Sequence, residues 1–310
     1  QSNINFDIFK NNLCCNINVP DIVNRPSVDV NICLDISGSM GSEASLKDSI
    51  GNEMHTGISV LSLTVSATKT ILNSLNEKDT ISIVTYSSSS SVLVEPTYVT
   101  KKAIMEIQLK LDKLKPTNTT NIWSGLKNSL DILRLQSSKN YLKSIFLLTD
   151  GVPNVEPSRG HEYELKNYYE KYPDFNCMIN SYGFGYNLKS DLLQNISTIS
   201  KGDGFAFIPD SSLLGNIFIQ GISNFMCTYE TNCSIKLNLN EDYSFIDDSK
   251  TKTLTVDSLK HGKSKNLMFE IKESSNHTSS IKSNEISYPI GSYELIMSNE
   301  VINGDILINY

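Results

Sequence analysis

Two hydrophobic periods alternate along the first two thirds of the chain. Apolar runs of strand length, such as Val28 to Leu34 and Ser144 to Thr149, are separated by segments whose apolar residues recur every three or four positions. Segments of the second kind are typical of helices with one buried face, as in Ile58 to Leu75, Ile104 to Leu114 and Ile122 to Leu133. We therefore predict an α/β fold, with a doubly wound, mostly parallel sheet that helices cover on both faces.

The pattern changes after a last helical segment that ends near Met226. From there on, short alternating segments such as Ser234 to Leu239 and Leu267 to Ile271 are separated by Asn, Asp, Gly and Ser turns. This pattern predicts a second, smaller all-β domain of β-sandwich type, with which residues before Pro26 are candidates to pair. The predicted domains are an N-terminal segment 1–26, an α/β domain 27–225 and a β-rich domain 226–310.

Composition and charge exclude some classes of function. The 310 residues, 39% of them hydrophobic and 20% charged, are typical of a folded protein with two units. The formal net charge of −7 argues against a general surface for nucleic acid or anionic membranes, which requires clustered Lys and Arg. No apolar run approaches the roughly 20 residues that span a bilayer, so neither nucleic acid binding nor membrane insertion is expected.

The cysteines favour a reducing compartment. Cys33 and Cys177 lie in apolar strand-like runs, where a buried thiol is typical, and no C-x-x-C pair indicates structural zinc. Cys227 and Cys233 are spaced so that they can close a small loop. The chain begins at Gln1 without a secretory signal, and we favour the cytoplasm or a virion over secretion while leaving the compartment open. The disulfide state stays open for four residues: Cys14, Cys15, Cys227 and Cys233.

Three oxygen-rich loops stand where predicted strands end or helices begin. They are Asp35 to Ser39, Thr117 to Ile122 and Thr149 to Gly151. In an open α/β sheet the ligand site lies at the carboxyl ends of the strands. Carboxylate and hydroxyl oxygens that meet there suit a hard divalent cation such as Mg²⁺. One Asp-x-Ser-x-Ser run is a weak signal, because Asp and Ser are common in turns, but three such loops in order predict a metal site.

These loops carry a family resemblance. Asp35, Ser37 and Ser39 in D-x-S-x-S, Thr120 in T-N-I-W-S-G-L and Asp150 in L-L-T-D-G resemble the metal-ion-dependent adhesion site of von Willebrand factor A domains. The resemblance implies a Rossmann-like fold over residues 27–225 and bound Mg²⁺ or Mn²⁺. It also implies that the three hydroxyl side chains bind the metal, that the two carboxylates act mainly through waters, and that an acidic residue of a protein partner completes the coordination.

A later run of residues resembles one branch of this family more than the others. Tyr182 to Leu188, with Phe207 to Asp210, is similar to an intracellular branch found in large eukaryotic proteins, plant ubiquitin-ligase relatives and some giant viruses, where a β-rich segment often follows. The sequence departs from the simplest pattern twice. Met40 to Gly57 is a polar insertion, either a partner-selective lid or a disordered surface loop, and Pro116 to Thr119 stands where the family often has a glycine pair.

Enzymatic alternatives lack their essential residues. A haloacid dehalogenase-type phosphatase needs a second carboxylate where Ser37 stands, and Gly183-Phe-Gly185 lacks the third glycine of a dinucleotide site. The four histidines fall in predicted polar loops without triad spacing, and the stretch 161–173, with Tyr168 and Tyr169, is expected on a mobile surface segment.

We therefore expect no enzyme but a metal-dependent protein-interaction module, for adhesion or as a scaffold. The alternatives are a non-catalytic arm of a larger enzyme, such as a ubiquitin ligase or self-processing protein, and a structural virion component.

Overall fold

The computed structural model describes residues 3–21, 25–47, 53–136, 142–185, 188–208, 214–231, 233–256, 258–273, 287–297 and 300–309. The chain folds as two compact units, one formed by Arg25–Met226 and the other by Gln1–Asn24 together with Cys227–Tyr310. Strands and helices are numbered here in chain order. The predicted fold class, an α/β domain with additional all-β sheets, is confirmed.

A six-stranded sheet forms the centre of the Arg25–Met226 unit. Its strands are β3 (Val28–Asp35), β6 (Thr80–Tyr86), β7 (Ser90–Tyr98), β8 (Leu142–Thr149), β9 (Met178–Phe184) and β10 (Phe205–Ile208). Their order across the sheet is β10-β9-β8-β3-β6-β7. All neighbours run parallel except β6 and β7, which form an antiparallel pair at one edge. The central strand β3 is buried on both faces, which explains its nearly continuous apolar sequence.

Helices cover both faces of this sheet. They are α1 (Val60–Ser74), α2 (Lys101–Leu111), α3 (Ile122–Leu135), α4 (His161–Lys171), α5 (Ser190–Ile199) and α6 (Leu214–Met226). Ile32 and Leu34 of β3 belong to the hydrophobic core with α1, α2 and α6, whereas Cys33 belongs to the core with α3, α4 and α5. This division follows from the alternation of side chains along a strand. Within the described residues, no helix combines the length and the apolar character needed to cross a bilayer.

The tyrosine-rich stretch is packed, so the expectation of a mobile surface segment is wrong. It forms α4, in which Tyr168 is only 7% exposed and donates a hydrogen bond of 2.8 Å to Asp131 Oδ1 on α3. Tyr169 Oη donates to the carbonyl of Cys177 at 2.6 Å. His161, expected in a solvated loop, is also buried, whereas His277 lies outside the described residues. The helix was not recognised because Lys and Glu residues separate the few positions that form its buried face.

The insertion from Met40 to Gly57 is built as a hairpin rather than an irregular loop. A short 3-10 helix, Gly38–Gly41, leads into β4 (Glu43–Lys47), which pairs antiparallel with β5 (Glu53–Ser59). The amide of Gly57 donates to Glu43 Oε1 at 2.5 Å, which ties the two strands together at the end near the sheet. Residues 48–52 lie outside the described part of the chain, as do 186–187 and 209–210 of the runs that narrowed the resemblance.

The second unit consists of antiparallel sheets. Its strands are β1 (Asn3–Phe9), β2 (Asn12–Asn18), β11 (Thr228–Glu230), β12 (Cys233–Leu239), β13 (Tyr243–Phe245), β14 (Thr251–Val256), β15 (Leu259–Lys260), β16 (Ser264–Glu273), β17 (Ser287–Ile296) and β18 (Val301–Asn309). One has the order β1-β2-β16-β13, another the order β14-β12-β17-β18, and β11 pairs with β15. Both four-stranded sheets contribute to one hydrophobic core, for example through Leu13 and Ile235, and β2 from the N-terminal segment pairs with β16. All six cysteines of the chain are free thiols.

Candidate metal centre

The three oxygen-rich loops meet at the carboxyl edge of the central sheet. Asp35 ends β3, and Asp150 follows the neighbouring parallel strand β8. The chain continues from β3 through α1 to β6 on one side, whereas β8 lies on the other side of β3. The loops after β3 and β8 therefore lie at a topological switch point, where open α/β sheets bind their ligands. We call the side chains of Asp35, Ser37, Ser39, Thr120 and Asp150 the candidate metal site.

The first loop turns its oxygens towards one point. The amide of Ser37 donates to Asp35 Oδ1 at 2.8 Å, which fixes the start of the loop. The Oγ atoms of Ser37 and Ser39 are 3.2 Å apart. Asp35 and Ser37 are buried, while Ser39 is exposed. The site is therefore anchored in the protein and opens to solvent at Ser39.

The second loop is held to the first through its backbone. The amide of Gly38 donates to the carbonyl of Asn118 at 2.9 Å, and the amide of Thr117 donates to the carbonyl of Ile36 at 2.7 Å. Asn118 has φ of 58°, the left-handed conformation that favours glycine and that Asn tolerates best among other residues. This conformation explains how Pro116 to Thr119 follows the required path without a glycine pair, and it leads to Thr120, which is 3% exposed.

The third loop completes the candidate metal site. Ser39 Oγ donates to Asp150 Oδ1 at 2.9 Å, so the first and third loops are in contact. A Cβ atom added to Gly151 would stand 3.6 Å from Ser39 Oγ and 3.7 Å from Thr120 Oγ1, so all three loops converge beside this glycine. The structure thus brings together all five residues that the sequence singled out.

Two residues outside that set hold it in place. Thr149 Oγ1 donates to Asp35 Oδ2 at 2.7 Å, which leaves both carboxylate oxygens of Asp35 with a donor. Asn154 and Thr120 bond reciprocally: the amide of Thr120 donates to Asn154 Oδ1 at 3.0 Å, and the amide of Asn154 donates to the Thr120 carbonyl at 2.9 Å. Thr149 stands directly before Asp150 in the third motif, but no sequence signal marked Asn154.

The electrostatics of the candidate metal site are unfavourable without a cation. Burial raises the pKa of Asp35, although hydrogen bonds from Thr149 and Ser37 act in the opposite direction. Burial and the nearby charge of Asp35 raise the pKa of Asp150 to about 6. Neither carboxylate forms an ion pair with a Lys, Arg or His of the described residues. Two adjacent carboxylates without a counter-charge oppose each other's ionisation.

The donor set fits a small hard cation. Neighbouring oxygens around an octahedral Mg²⁺ at about 2.1 Å lie about 3 Å apart, and the spacings from Ser39 Oγ to Ser37 Oγ and to Asp150 Oδ1 are 3.2 and 2.9 Å. Across the residues that the structure describes, no cluster of three or more His, Cys, Asp or Glu side chains is arranged for a metal. A site of two carboxylates and three hydroxyls differs from such clusters in composition.

Comparison with known proteins relates this geometry to a family. Residues 30–152 match the model of the von Willebrand factor type A domain. The chain is 29% identical to inter-alpha-trypsin inhibitor heavy chain H2 of Mesocricetus auratus over 148 residues, which is 45% of this chain. The protein of the same name from Mus musculus matches to the same extent. The match spans only 15% of the length of these relatives.

Solved structures show the same fold. A von Willebrand factor type A protein from Catenulispora acidiphila superposes with a TM-score of 0.70 and 14% identity, covering 100% of this chain and 73% of that one. The ArnB paralog VWA2 from Sulfolobus acidocaldarius gives 0.54 and 17%, covering 100% and 74%. Domains of this type generally mediate adhesion or protein–protein interaction. The Arg25–Met226 unit thus has the von Willebrand factor type A fold, and residues 30–152 within it match the model of that domain.

Proposed function

We propose that the Arg25–Met226 unit is a non-catalytic, divalent-metal-dependent protein-binding module. In this proposal Asp35, Ser37, Ser39, Thr120 and Asp150 hold Mg²⁺ or Mn²⁺, and an acidic side chain of a protein partner completes the coordination. The observation that carries the proposal is the pair of adjacent, partly or fully buried carboxylates that face hydroxyl groups without a counter-charge. Buried charges in proteins are normally paired or coordinate metals.

The composition of the donor set supports partner binding. Three of the five side chains are neutral hydroxyls, so the protein supplies two negative charges to a doubly charged cation. When bound, the metal supplies a positive centre that attracts an oxygen of a partner carboxylate. A site with more carboxylates would hold the cation more tightly but would leave less attraction for a partner. The exposure of Ser39 provides the open side from which a partner can approach.

The surrounding residues keep the donors in place before any ligand arrives. Thr149 and the Ser37 amide orient the Asp35 carboxylate, and Asn154 fixes the backbone of Thr120. Such supporting hydrogen bonds typically change metal affinity by 10- to 100-fold when removed. The Ser37 and Ser39 hydroxyls have each other and Asp150 as side-chain partners, and no His or Lys of the described part of the chain that would activate them as nucleophiles, which supports binding over catalysis.

Calorimetric titration of the metal-depleted protein with Mg²⁺ and Mn²⁺ tests the metal site. We expect saturable binding to the intact chain and its loss in Asp35→Ala and Thr120→Ala. The matched controls are Asp112→Ala and Thr97→Ala, which remove an exposed carboxylate and a half-buried hydroxyl that lie outside the three loops of the site. Absence of binding to the intact chain, or equal binding by all four variants, would contradict the proposal.

Peptide arrays with and without EDTA test the partner chemistry. Peptides that contain Asp or Glu are compared with the same peptides carrying Asn or Gln, on the intact chain loaded with Mg²⁺. We expect binding that requires both the carboxylate and the metal. Metal binding combined with no carboxylate-dependent capture would instead favour the structural role considered as an alternative.

A further inference from the structure

Tyr86 lies directly beside the candidate metal site. It ends β6 and is paired in register with Asp35 of β3, so both side chains lie on the same face of the sheet. The residue is fully buried. It belongs to the hydrophobic core with Cys33 and the first turns of α3. The tyrosine therefore stands between the strand that carries Asp35 and the helix that follows Thr120.

The ring of Tyr86 is held by a close approach of α3. A Cβ atom on Gly125 would stand 2.5 Å from Tyr86 Cδ1 and 2.9 Å from Cys33 Sγ, so only glycine leaves room for the ring at this point of the helix. A ring packed this tightly has a fixed direction. The position of the Tyr86 hydroxyl is therefore determined by the packing and not by a hydrogen bond.

That hydroxyl has no hydrogen-bond partner among the described residues, although it is buried. The carboxylate of Asp35 and the hydroxyl of Thr149 lie close enough to influence the pKa of Tyr86, which burial raises most, but neither reaches hydrogen-bond geometry with the Tyr86 hydroxyl. Asp35 accepts one donor on each oxygen, and an ionised carboxylate has about four acceptor positions. Acceptor capacity thus remains for the Tyr86 hydroxyl, yet the geometry of a hydrogen bond is not reached.

We propose that Tyr86 is a positioning residue for the metal, whose hydroxyl gains its hydrogen bond to Asp35 or to a water on the cation only when the cation is bound. This inference rests on the proposed metal site. It explains why a polar group is kept in a position where phenylalanine would pack equally well. A buried hydroxyl without a partner destabilises the metal-free domain, and the new bond strengthens cation binding.

Tyr86→Phe is expected to weaken Mn²⁺ binding while it stabilises the metal-free domain. Tyr86→Phe keeps the ring against Gly125 and removes only the hydroxyl. We expect Mn²⁺ affinity to fall by about tenfold, as for other groups that orient metal ligands. In EDTA we expect the melting temperature to rise by about 2 °C, because the variant no longer buries an unpaired oxygen. The rise in melting temperature produced by Mn²⁺ should consequently become smaller.

Tyr182→Phe is the matched control. Tyr182 is also buried in the same sheet, but it packs with Phe146 and Phe218 in the core on the opposite face. We expect this variant to bind Mn²⁺ like the intact chain. The two variants and the intact chain are compared by calorimetric titration with Mn²⁺ and by thermal unfolding in EDTA and in excess Mn²⁺.

The outcomes separate this inference from the proposed function. If the intact chain binds Mn²⁺ and Tyr86→Phe binds it within twofold, the role of Tyr86 is overturned and the metal site stands. A variant with a lower melting temperature in EDTA and unchanged affinity would likewise show a hydroxyl that is structural only. Absence of Mn²⁺ binding to the intact chain would overturn both proposals.

Discussion

Buried carboxylates differ in their partners between the two ends of the central strands, the end where β3 and β6 begin (the first edge) and the end where β3 and β8 finish (the carboxyl edge). At the edge where β3 and β6 begin, Asp29 pairs with Lys143 at 2.8 Å and Asp79 pairs with Arg25 at 2.8 Å, and both carboxylates are completely buried. At the carboxyl edge, Asp35 is equally buried but neither it nor Asp150 has a basic partner among the described residues. One sheet thus contains both neutralised and unneutralised carboxylates.

This difference separates the charges that stabilise the fold from those that are available to bind a ligand. Breaking a buried ion pair is costly because an uncompensated charge remains, so the cations at the first edge belong to the structure itself. At the carboxyl edge the chain places hydroxyls where a cationic side chain would lower the energy of the domain. Local conflicts of this kind are expected at functional sites. The comparison therefore favours an external cation at the carboxyl edge, and four predictions test it in order of decreasing effect.

The largest effect is expected from Lys143→Met. This change leaves Asp29 buried without its cation, and we expect the free energy of unfolding to fall by about 3–5 kcal/mol, with or without Mg²⁺. Metal affinity should not change, because Lys143 lies at the opposite end of β8 from Asp150. Chemical denaturation gives the stability, and Lys127→Met, which removes an exposed cation, is the control. Equal losses in the two variants would contradict the comparison.

Adding Mg²⁺ should stabilise the intact chain next most strongly. At a concentration 100 times the dissociation constant, binding to the folded state alone adds about 2.7 kcal/mol to the free energy of unfolding. Thr120→Ala should abolish most of this gain, since it removes a hydroxyl that faces the site. Denaturation curves in Mg²⁺ and in EDTA measure both quantities. A gain of the same size in the variant would mean that Mg²⁺ acts elsewhere.

Asp150→Asn should stabilise the metal-free domain, whereas Lys143→Met should destabilise it. In EDTA it removes one of two adjacent negative charges, and we expect stability to rise on the order of 1 kcal/mol. Mg²⁺ affinity should fall at least tenfold, because a charged member of the site is lost. Denaturation in EDTA and titration with Mg²⁺ check the two effects. A loss of stability in EDTA would show that the Asp150 charge already has a compensating partner.

The smallest effect is expected from Thr149→Val. The variant keeps the shape of the side chain but loses the hydroxyl that donates to Asp35 Oδ2. One hydrogen bond contributes about 1 kcal/mol, so Mg²⁺ affinity should fall by about fivefold. Thr149→Ser keeps the donor and should restore the affinity of the intact chain in titration. Binding by the valine variant equal to that of the intact chain would show that the hydrogen bond from Thr149 to Asp35 does not contribute to Mg²⁺ affinity.

Much of the fold and the five residues of the candidate metal site could be picked out from the sequence because their signals are local. The strand β3 and the helix α3 each show their own period, and the D-x-S-x-S run lies within five consecutive residues. The packing of Tyr168 and Tyr169 was missed because their contacts come from α3 and from the residues after α4. The hairpin of β4 and β5 was missed because its polar sequence shows no clear alternation of hydrophobic and polar residues.

The sequence by itself determined the alternation of strands and helices, the boundary near Met226 and the five candidate ligands, because periodicity and short motifs are properties of neighbouring residues. Only the tertiary structure decided which groups surround those ligands. The register of β6 against β3 places Tyr86 beside Asp35, and the left-handed turn at Asn118 holds the second loop against the first. Likewise, the pairing of Asp29 and Asp79 with Lys143 and Arg25 joins residues far apart in the chain. Such contacts join residues that are distant in the sequence, so the period of a single segment does not reveal them.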